Sequence, residues 1–144
     1  MAEDHRWLRA AVELSRQCPP AREAFSVGAI VVDAHGRELS SGYSRETDEK
    51  VHAEESALSK LDRSNPALRG ATMYSSMEPC STRKSRPRSC TQLILDAGIP
   101  RVVFALREPP IFVDCEGAER LASAGVTVVE LTELADAVRT INQL

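Results

Sequence analysis

Apolar positions recur at two spacings along the chain, and the first half of the pattern predicts a helix followed by a hairpin. Helical spacing over 4–17 predicts an amphipathic helix that ends before Pro19-Pro20. The apolar, β-branched run at 27–33 predicts a strand. His35-Gly36 supplies a turn, after which 37–43 returns as a second strand. Strands joined by so short a turn pair in an antiparallel manner.

The second half of the pattern alternates strands with helices. Strands are predicted over 71–76, 101–106 and 126–131. Helices are predicted over 52–62, 90–97 and 116–124, with a last helix that Thr132 caps. Strands separated by helices pair in parallel, whereas the early hairpin adds an antiparallel pair. The sequence therefore predicts an α/β fold, a three-layer α/β/α sandwich with a five-stranded mixed sheet.

Length and charge restrict the classes of function. The chain has 144 residues, which fits one domain over 1–144. A net charge of −3 and an aromatic content of 4% disfavour nucleic acid as a partner. No signal peptide is visible, and no apolar run approaches the ~18–20 residues of a membrane span. We therefore expect a cytoplasmic protein with no membrane partner, in which cysteines stay reduced.

Candidate metal ligands stand at the starts of predicted elements. His52 and Cys90 each begin a predicted helix, and Cys80 follows a proline after a predicted strand. One imidazole and two thiolates form a ligand set that zinc prefers, and three protein ligands leave a fourth position for water. The positive N-terminal end of a helix favours the thiolate that binds metal. The sequence therefore predicts a catalytic Zn²⁺ site at His52, Cys80 and Cys90.

Glu54 follows the candidate histidine by two residues and is suited to proton transfer. The pattern His-x-Glu followed by Pro-Cys and a second cysteine is typical of zinc deaminases, although here nine residues rather than two separate the cysteines. In that chemistry zinc activates water, and Glu54 passes protons to the ring nitrogen and to the amine that leaves as ammonia. The alternative, a disulfide between Cys80 and Cys90, is disfavoured without secretion signals.

With these residues the chain resembles the cytidine deaminase superfamily over about residues 5–131. The similarity includes 25–33 and Gly42-Tyr43-Ser44. Within the superfamily it is most similar to the deaminase domain of riboflavin biosynthesis, where Glu-Pro-Cys-Ser precedes a long basic insert, as at 78–90 here. The resemblance implies zinc ligands His52, Cys80 and Cys90, Glu54 as proton shuttle, and a homo-oligomer. It also implies a small heterocyclic substrate, a phosphoribosyl diaminopyrimidine or a close relative.

The chain departs from the riboflavin family in several places. Ala24-Phe25-Ser26 replaces the usual Pro-Asn-Pro, the insert is one residue longer, and Thr82 replaces a histidine. The reductase domain that usually follows is absent before Leu144. Two alternatives therefore stay open. One is a deaminase of cytosine, cytidine, a deoxynucleotide or a guanine-type base, and the other is a non-catalytic subunit with a zinc fold.

Two segments contain the predicted substrate contacts. The basic insert places Arg83, Lys84 and Arg86 between two predicted zinc ligands, where they either bind a substrate phosphate or form a solvated loop. Phe25 and Ser26 are the predicted contacts to the heterocycle. Phe25 either stacks on a planar base or fills the core beneath the hairpin.

Overall fold

Five strands form a single mixed sheet in the computed structural model, which describes residues 2–112 and 114–144. They are β1 (Gly28–Val32), β2 (Glu38–Tyr43), β3 (Thr72–Met77), β4 (Arg101–Leu106) and β5 (Thr127–Glu130). Their order across the sheet is β2-β1-β3-β4-β5. Strand β1 is antiparallel to both β2 and β3, whereas β3, β4 and β5 are parallel to one another.

Helices cover both faces of this sheet. They are α1 (Ala2–Leu14), α2 (Ala53–Ser59), α3 (Cys90–Ala97), α4 (Gly117–Ser123) and α5 (Ala135–Ile141). Successive strand residues point to opposite faces. Ile30 therefore packs in a core with α1 and α5, whereas its neighbour Val31 packs with α2, α3 and α4. The predicted three-layer α/β/α sandwich with a five-stranded mixed sheet is confirmed.

Several predicted helix boundaries differ from the structure. The first helix, predicted over 4–17, covers Ala2–Leu14 and is followed by a 3₁₀ turn, Ser15–Gln17. The helix predicted over 52–62 begins at Ala53, because His52 has an extended backbone (φ −89°, ψ 161°), and it ends at Ser59. Beyond it, the Asp62 carboxylate accepts a hydrogen bond from the Ser64 amide at 2.9 Å, which favours a turn over helix. Thr132 does not cap the last helix. It begins a 3₁₀ turn, Thr132–Leu134, that precedes α5.

A close approach between helix and sheet fixes the position of α2. A Cβ atom added to Gly42 on β2 would lie 2.5 Å from the Ala57 nitrogen and 2.6 Å from the Ala53 carbonyl oxygen. Only glycine leaves room for the helix backbone at this distance. The contact therefore determines where the N-terminus of α2 lies relative to the sheet.

The first helix is joined to the sheet by a buried polar cluster. Arg101 at the start of β4 donates two hydrogen bonds to the Asp4 carboxylate, at 2.7 and 2.6 Å. Tyr74 on β3 donates a third at 2.7 Å. Asp4 is 7% exposed, so these donors replace the water that its charge would otherwise require.

The sheet topology brings several chain segments to one edge. Strands β3 and β4 are parallel, so their carboxyl ends lie together, and β1 starts at the same edge because it is antiparallel to β3. In open α/β sheets ligands bind outside the carboxyl ends of the strands. Within the described part of the chain, no helix is long and apolar enough to cross a membrane.

Candidate active site

The three predicted metal ligands converge at this edge. His52 is the N-cap of α2, Cys80 lies in the turn after β3, and Cys90 is the first residue of α3. The His52 Nδ1 atom lies 3.6 Å from Cys80 Sγ and 3.3 Å from Cys90 Sγ. All three candidate ligand atoms lie within 4.8 Å of one another. Both cysteines are buried free thiols, so the alternative of a disulfide between them is wrong.

The spacing of these atoms fits zinc. A tetrahedral Zn²⁺ at usual Zn–S and Zn–N distances separates sulfur from nitrogen by about 3.6 Å. The observed separations of 3.6 and 3.3 Å are close to that value. Two soft sulfur donors and one imidazole also suit this ion, and they leave one tetrahedral position free of protein ligands.

Hydrogen bonds prepare one of the two thiols for metal binding. The Cys90 amide, at the N-terminus of α3, donates to Cys80 Sγ at 3.3 Å. Hydrogen bonds from Cys90 and His52 lower the pKa of Cys80 to about 4, although burial opposes the change. The hydrogen bond to Cys80, together with burial, raises the pKa of Cys90. Metal binding by both sulfurs would require both groups to be thiolates, so any proton still shared by this pair would be released.

Glu54 lies beside this group in the first turn of α2 and is 4% exposed. Its Oε2 atom lies 3.2 Å from the Ser75 hydroxyl, which fixes one end of the carboxyl group. Burial, and secondarily the negative charge of Cys80, raise the pKa of Glu54. A carboxyl that retains a proton more readily than in water is suited to general acid–base chemistry near neutral pH.

Glu78 is a second buried carboxylate at this edge, and it accepts hydrogen bonds from the backbone. One oxygen accepts from the Glu108 amide at 3.0 Å, and the other accepts from the Ala118 amide at 2.8 Å. Glu78 therefore joins the end of β3 to the loop after β4 and to the start of α4. The sequence contained it in the Glu-Pro-Cys motif but did not indicate this structural role.

Glu108 is a third carboxylate at the edge, and sequence reasoning missed it. It follows β4 by two residues in a stretch without helical or strand periodicity, so the pattern gave no signal for it. Its Oε2 atom is buried and has no hydrogen-bond partner among the described residues. Burial raises the pKa of Glu108 to about 8, and the negative charges of Cys80, Glu54 and Glu78 act in the same direction.

Two arginines of the basic insert form ion pairs within the protein. Arg83 Nη1 lies 2.9 Å from Glu55 Oε1, and the Arg83 side chain is only 1% exposed. Arg86 lies 3.1 Å from the other Glu55 oxygen and 2.8 Å from Asp48. Glu55 also accepts a hydrogen bond from the His52 amide at 3.2 Å. The insert is therefore held against the N-terminus of α2, between the two predicted sulfur ligands.

The other two cations of the insert lie at the surface. Arg88 pairs with Asp96 at 2.9 Å. Lys84 is exposed and forms no ion pair with the described residues. Of the three predicted phosphate contacts, Lys84 therefore has the most hydrogen-bonding capacity left for a ligand.

Phe25 and Ser26 lie just before β1, at the same edge of the sheet. The Phe25 ring is partly buried and contacts Phe112, with centroids 4.9 Å apart. Ser26 is held by the Asn142 side chain, which accepts from its amide at 2.7 Å and donates to its carbonyl oxygen at 3.1 Å. Arg45 donates to the Ser26 hydroxyl at 2.8 Å. The protein itself therefore satisfies the polar groups of Ser26.

A His/Cys/Cys group with a buried, non-ligating glutamate beside it defines the class of zinc-dependent nucleobase deaminases. The chain belongs to the cytidine and deoxycytidylate deaminase family, because the model of that family's zinc-binding region matches residues 1–106. The resemblance to the cytidine deaminase superfamily and to its riboflavin branch is thereby confirmed.

Sequence relatives lie in the riboflavin branch of this family. The chain is 45% identical over 126 residues to the diaminohydroxyphosphoribosylamino-pyrimidine deaminase of Schizosaccharomyces pombe. That match covers 86% of this chain and 31% of the relative, so the chain spans about a third of the length of that protein.

Solved structures of deaminases are also similar to this chain in fold. The Aspergillus oryzae Rib2 deaminase, crystallised in complex with DARIPP, superposes with a TM-score of 0.82 at 28% identity, and the match covers 96% of this chain and 89% of that one. The Thermotoga maritima diaminohydroxyphosphoribosylaminopyrimidine deaminase and reductase superposes with a TM-score of 0.86 at 29% identity. That match covers 99% of this chain and 40% of the larger one.

Proposed function

We propose that this chain is a zinc-dependent deaminase domain that hydrolyses an exocyclic amine of a phosphoribosyl diaminopyrimidine to a carbonyl group and releases ammonia. The observation that carries the proposal is the convergence of His52, Cys80 and Cys90 beside a buried Glu54. Names of relatives support the substrate, since the Schizosaccharomyces pombe protein is a deaminase of such a pyrimidine.

The residues divide the chemistry between them. His52, Cys80 and Cys90 would hold Zn²⁺, which supplies a Lewis acid that activates water at neutral pH. Glu54 takes a proton from that water and transfers it to the ring nitrogen of the substrate. It then takes the remaining proton from the hydroxyl group that has added to the ring carbon and transfers it to the amine, so that the carbonyl group forms as the carbon–nitrogen bond breaks and ammonia leaves. The Ser75 hydroxyl, which also contacts the Met77 carbonyl oxygen at 2.8 Å, lies 3.2 Å from Glu54 Oε2 and limits the movement of this carboxyl.

The residues that contact the substrate are also proposed. Lys84 is the best placed cation for a substrate phosphate, because Arg83 and Arg86 already pair with carboxylates. Phe25 is proposed to contact the heterocycle from the loop before β1, with Ser26 shaping that loop. The single domain over 1–144, the homo-oligomer and the cytoplasmic location also remain predictions.

Ammonia release from purified, zinc-loaded protein tests the function. The panel contains the phosphoribosyl diaminopyrimidine, its dephosphorylated form, cytosine, cytidine, deoxycytidylate and guanine. Release from the first compound at the highest kcat/KM supports the proposal. Preference for another compound selects the alternative deaminase, and inactivity on all of them, with zinc bound, favours a non-catalytic subunit.

Glu54→Gln tests the assignment of the proton shuttle. The amide cannot exchange protons, so the turnover number should fall by roughly 10²- to 10⁴-fold. Zinc content from elemental analysis and the circular dichroism spectrum should stay unchanged. The exposed residue Glu49 offers a matched control, and Glu49→Gln should retain the wild-type rate. A Glu54→Gln enzyme with near-normal turnover would contradict the assignment.

A further inference from the structure

The segment that carries Phe25 to the edge of the sheet has no regular secondary structure. Residues 19–26 form neither helix nor strand, although the Phe25 ring packs against Phe112 in the loop after β4. The backbone of such a segment needs other hydrogen-bond partners to keep a single conformation. Two side chains that are distant in sequence, Arg45 and Asn142, provide them.

These side chains bind both polar groups of the peptide bond between Phe25 and Ser26. Asn142 Oδ1 accepts from the Ser26 amide at 2.7 Å, and Arg45 Nη1 donates to the Phe25 carbonyl oxygen at 3.1 Å. A peptide bond is planar, so contacts to its two polar groups fix the orientation of the whole plane. The plane contains the Cα atom of Phe25, and its orientation therefore restricts where the aromatic ring can lie.

Asn142 binds a second group of Ser26 and is itself held in place. Its Nδ2 atom donates to the Ser26 carbonyl oxygen at 3.1 Å and to the Val138 carbonyl oxygen, one turn earlier in α5, at 3.0 Å. Val138 is 1% exposed, so α5 is fixed to the core at that point. By accepting from and donating to the same residue, the carboxamide replaces the two bonds that a neighbouring strand would supply.

We propose that Asn142 is a positioning residue of the active site, which acts through the peptide bond between Phe25 and Ser26 to direct the Phe25 ring at the heterocycle of the substrate. This inference rests on the proposed deaminase function and on Phe25 as a contact of the heterocycle. It makes α5, which lies beyond the residues 1–106 that the family model matches, a functional part of the site.

Substitution of Asn142 in the zinc-loaded protein should weaken substrate binding without loss of metal. In Asn142→Ala, KM for the preferred substrate of the panel should rise roughly 3- to 10-fold, with a smaller change in kcat, because the hydrogen bonds to Ser26 are lost. Asn142→Asp keeps the acceptor for the Ser26 amide and should show a smaller rise. The exposed neighbour offers a matched control, and Gln143→Ala should retain the wild-type KM and Tm.

A double variant separates positioning from a general effect on the fold. Phe25→Ala should itself raise KM, because the ring that contacts the heterocycle is removed. If Asn142 acts through that ring, Asn142→Ala should raise KM in the wild-type background and hardly at all in the Phe25→Ala background. A residue that only stabilises the fold would raise KM by the same factor in both backgrounds.

Limited proteolysis with trypsin gives a readout that does not depend on activity. Arg22 is exposed in the same segment, and the exposed Arg37, in the turn between β1 and β2, serves as an internal reference. Asn142→Ala should accelerate cleavage after Arg22 relative to cleavage after Arg37, because the segment loses its partner in α5. Mass spectrometry of the fragments measures both rates, and equal acceleration at the two sites would contradict a local effect.

The outcomes distinguish this inference from the proposed function. Unchanged KM in Asn142→Ala or in Phe25→Ala, or equal effects of Asn142→Ala in the two backgrounds, overturns the inference and leaves the deaminase assignment intact. If the wild type prefers another compound of the panel, the named substrate is wrong, and Asn142 is judged by its effect on KM for that compound. Zinc-loaded wild type that acts on no compound overturns both.

Discussion

Identical side chains at one edge of the sheet differ in chemistry because their surroundings differ. Glu78 accepts two backbone hydrogen bonds and serves the fold. Glu54 has one hydroxyl contact and a pKa raised by burial, which suits the transfer of protons. Glu55, the next residue along the chain, points away to two arginines and stabilises the insert. Environment rather than residue type therefore assigns these roles.

The same reasoning separates the cations of the insert. The Arg83 side chain is buried and paired with Glu55, so its loss would remove one of the two arginines that hold the insert against that carboxylate. Lys84 is exposed and forms no ion pair with the described residues. Substitution of Arg83 should therefore disturb the zinc ligands that flank the insert. Substitution of Lys84 should instead change only the affinity for the substrate.

Lys84→Ala should raise KM for the phosphorylated pyrimidine roughly 10- to 100-fold, because a charged hydrogen bond is lost. KM for the dephosphorylated compound should change little, since the base contacts remain. Steady-state ammonia release on both compounds provides the measurement. Lys50→Ala, an exposed lysine outside the insert, is the matched control. Equal losses on both compounds would show that Lys84 supports the loop and does not bind the phosphate.

At the scale of elements, the N-terminus of α2 organises the site. It carries His52 and Glu54. Glu55 in its first turn forms ion pairs with the arginines of the insert. The helix backbone packs directly against Gly42 on β2. The helix is only seven residues long. Its position depends on these tertiary contacts, because so short a helix is not stable by itself.

The substitution Gly42→Ala should therefore displace α2 and, through it, disturb the metal centre. The new Cβ would overlap the helix backbone, so the free energy of unfolding should fall by roughly 1–3 kcal/mol. Displacement of His52 should also weaken zinc retention during dialysis. Urea unfolding and elemental analysis measure the two effects.

Gly70→Ala is a suitable control for that substitution. Its Cβ would approach only the Ala34 methyl group, at 3.2 Å, so a smaller loss of stability is expected. The coupling between α2 and the metal centre would be contradicted if Gly42→Ala unfolded more easily but kept its zinc as firmly as the wild type.

At the scale of the whole molecule, one ion cluster joins the outer helix layer to the sheet. Hydrogen bonds from Arg101 lower the pKa of Asp4 to about 2 from its ordinary value of 3.8, despite the opposing effect of burial. A group whose pKa falls on folding stabilises the native state above its unfolded pKa. That stabilisation is lost as the pH falls from about 4 to about 2.

Free energies of unfolding measured between pH 6 and pH 2 should show how much this cluster contributes to stability. The wild type should lose on the order of 2 kcal/mol more than Asp4→Asn between about pH 4 and pH 2, since the variant has no carboxyl to protonate. Asp136→Asn, which removes an exposed ion pair on α5, should follow the wild type. Parallel curves for wild type and Asp4→Asn would show that the cluster contributes little.

Much of this architecture could be predicted from local pattern. Strand β4 and helix α3 were predicted with their observed bounds, since an apolar run and a glycine stop at Gly98 define them locally. The convergence of His52, Cys80 and Cys90 could also be predicted, because the chemistry of the ligand set restricts their arrangement. Local sequence signals were sufficient to predict a feature that depends on a single helix or strand.

Other features depend on contacts between distant segments, and the sequence did not indicate them. The pairing of Arg83 and Arg86 with acidic residues depends on how the insert folds against α2. Glu108 lies in a loop whose path is set by Glu78, 30 residues earlier. The short 3₁₀ turn before α5 also replaced the predicted cap at Thr132, because Leu131 packs into the core there.

The reciprocal hydrogen bonds between Ser26 and Asn142 have a consequence for the protein's synthesis. They join residues 116 positions apart, and they hold the loop that borders the substrate side of the sheet. A nascent chain emerges from the ribosome with its N-terminus first, and contacts between distant residues form late in folding. The segment carrying Phe25 is held earlier along the chain by Arg45, and it gains its contact with Asn142 only after α5 has been translated and has docked.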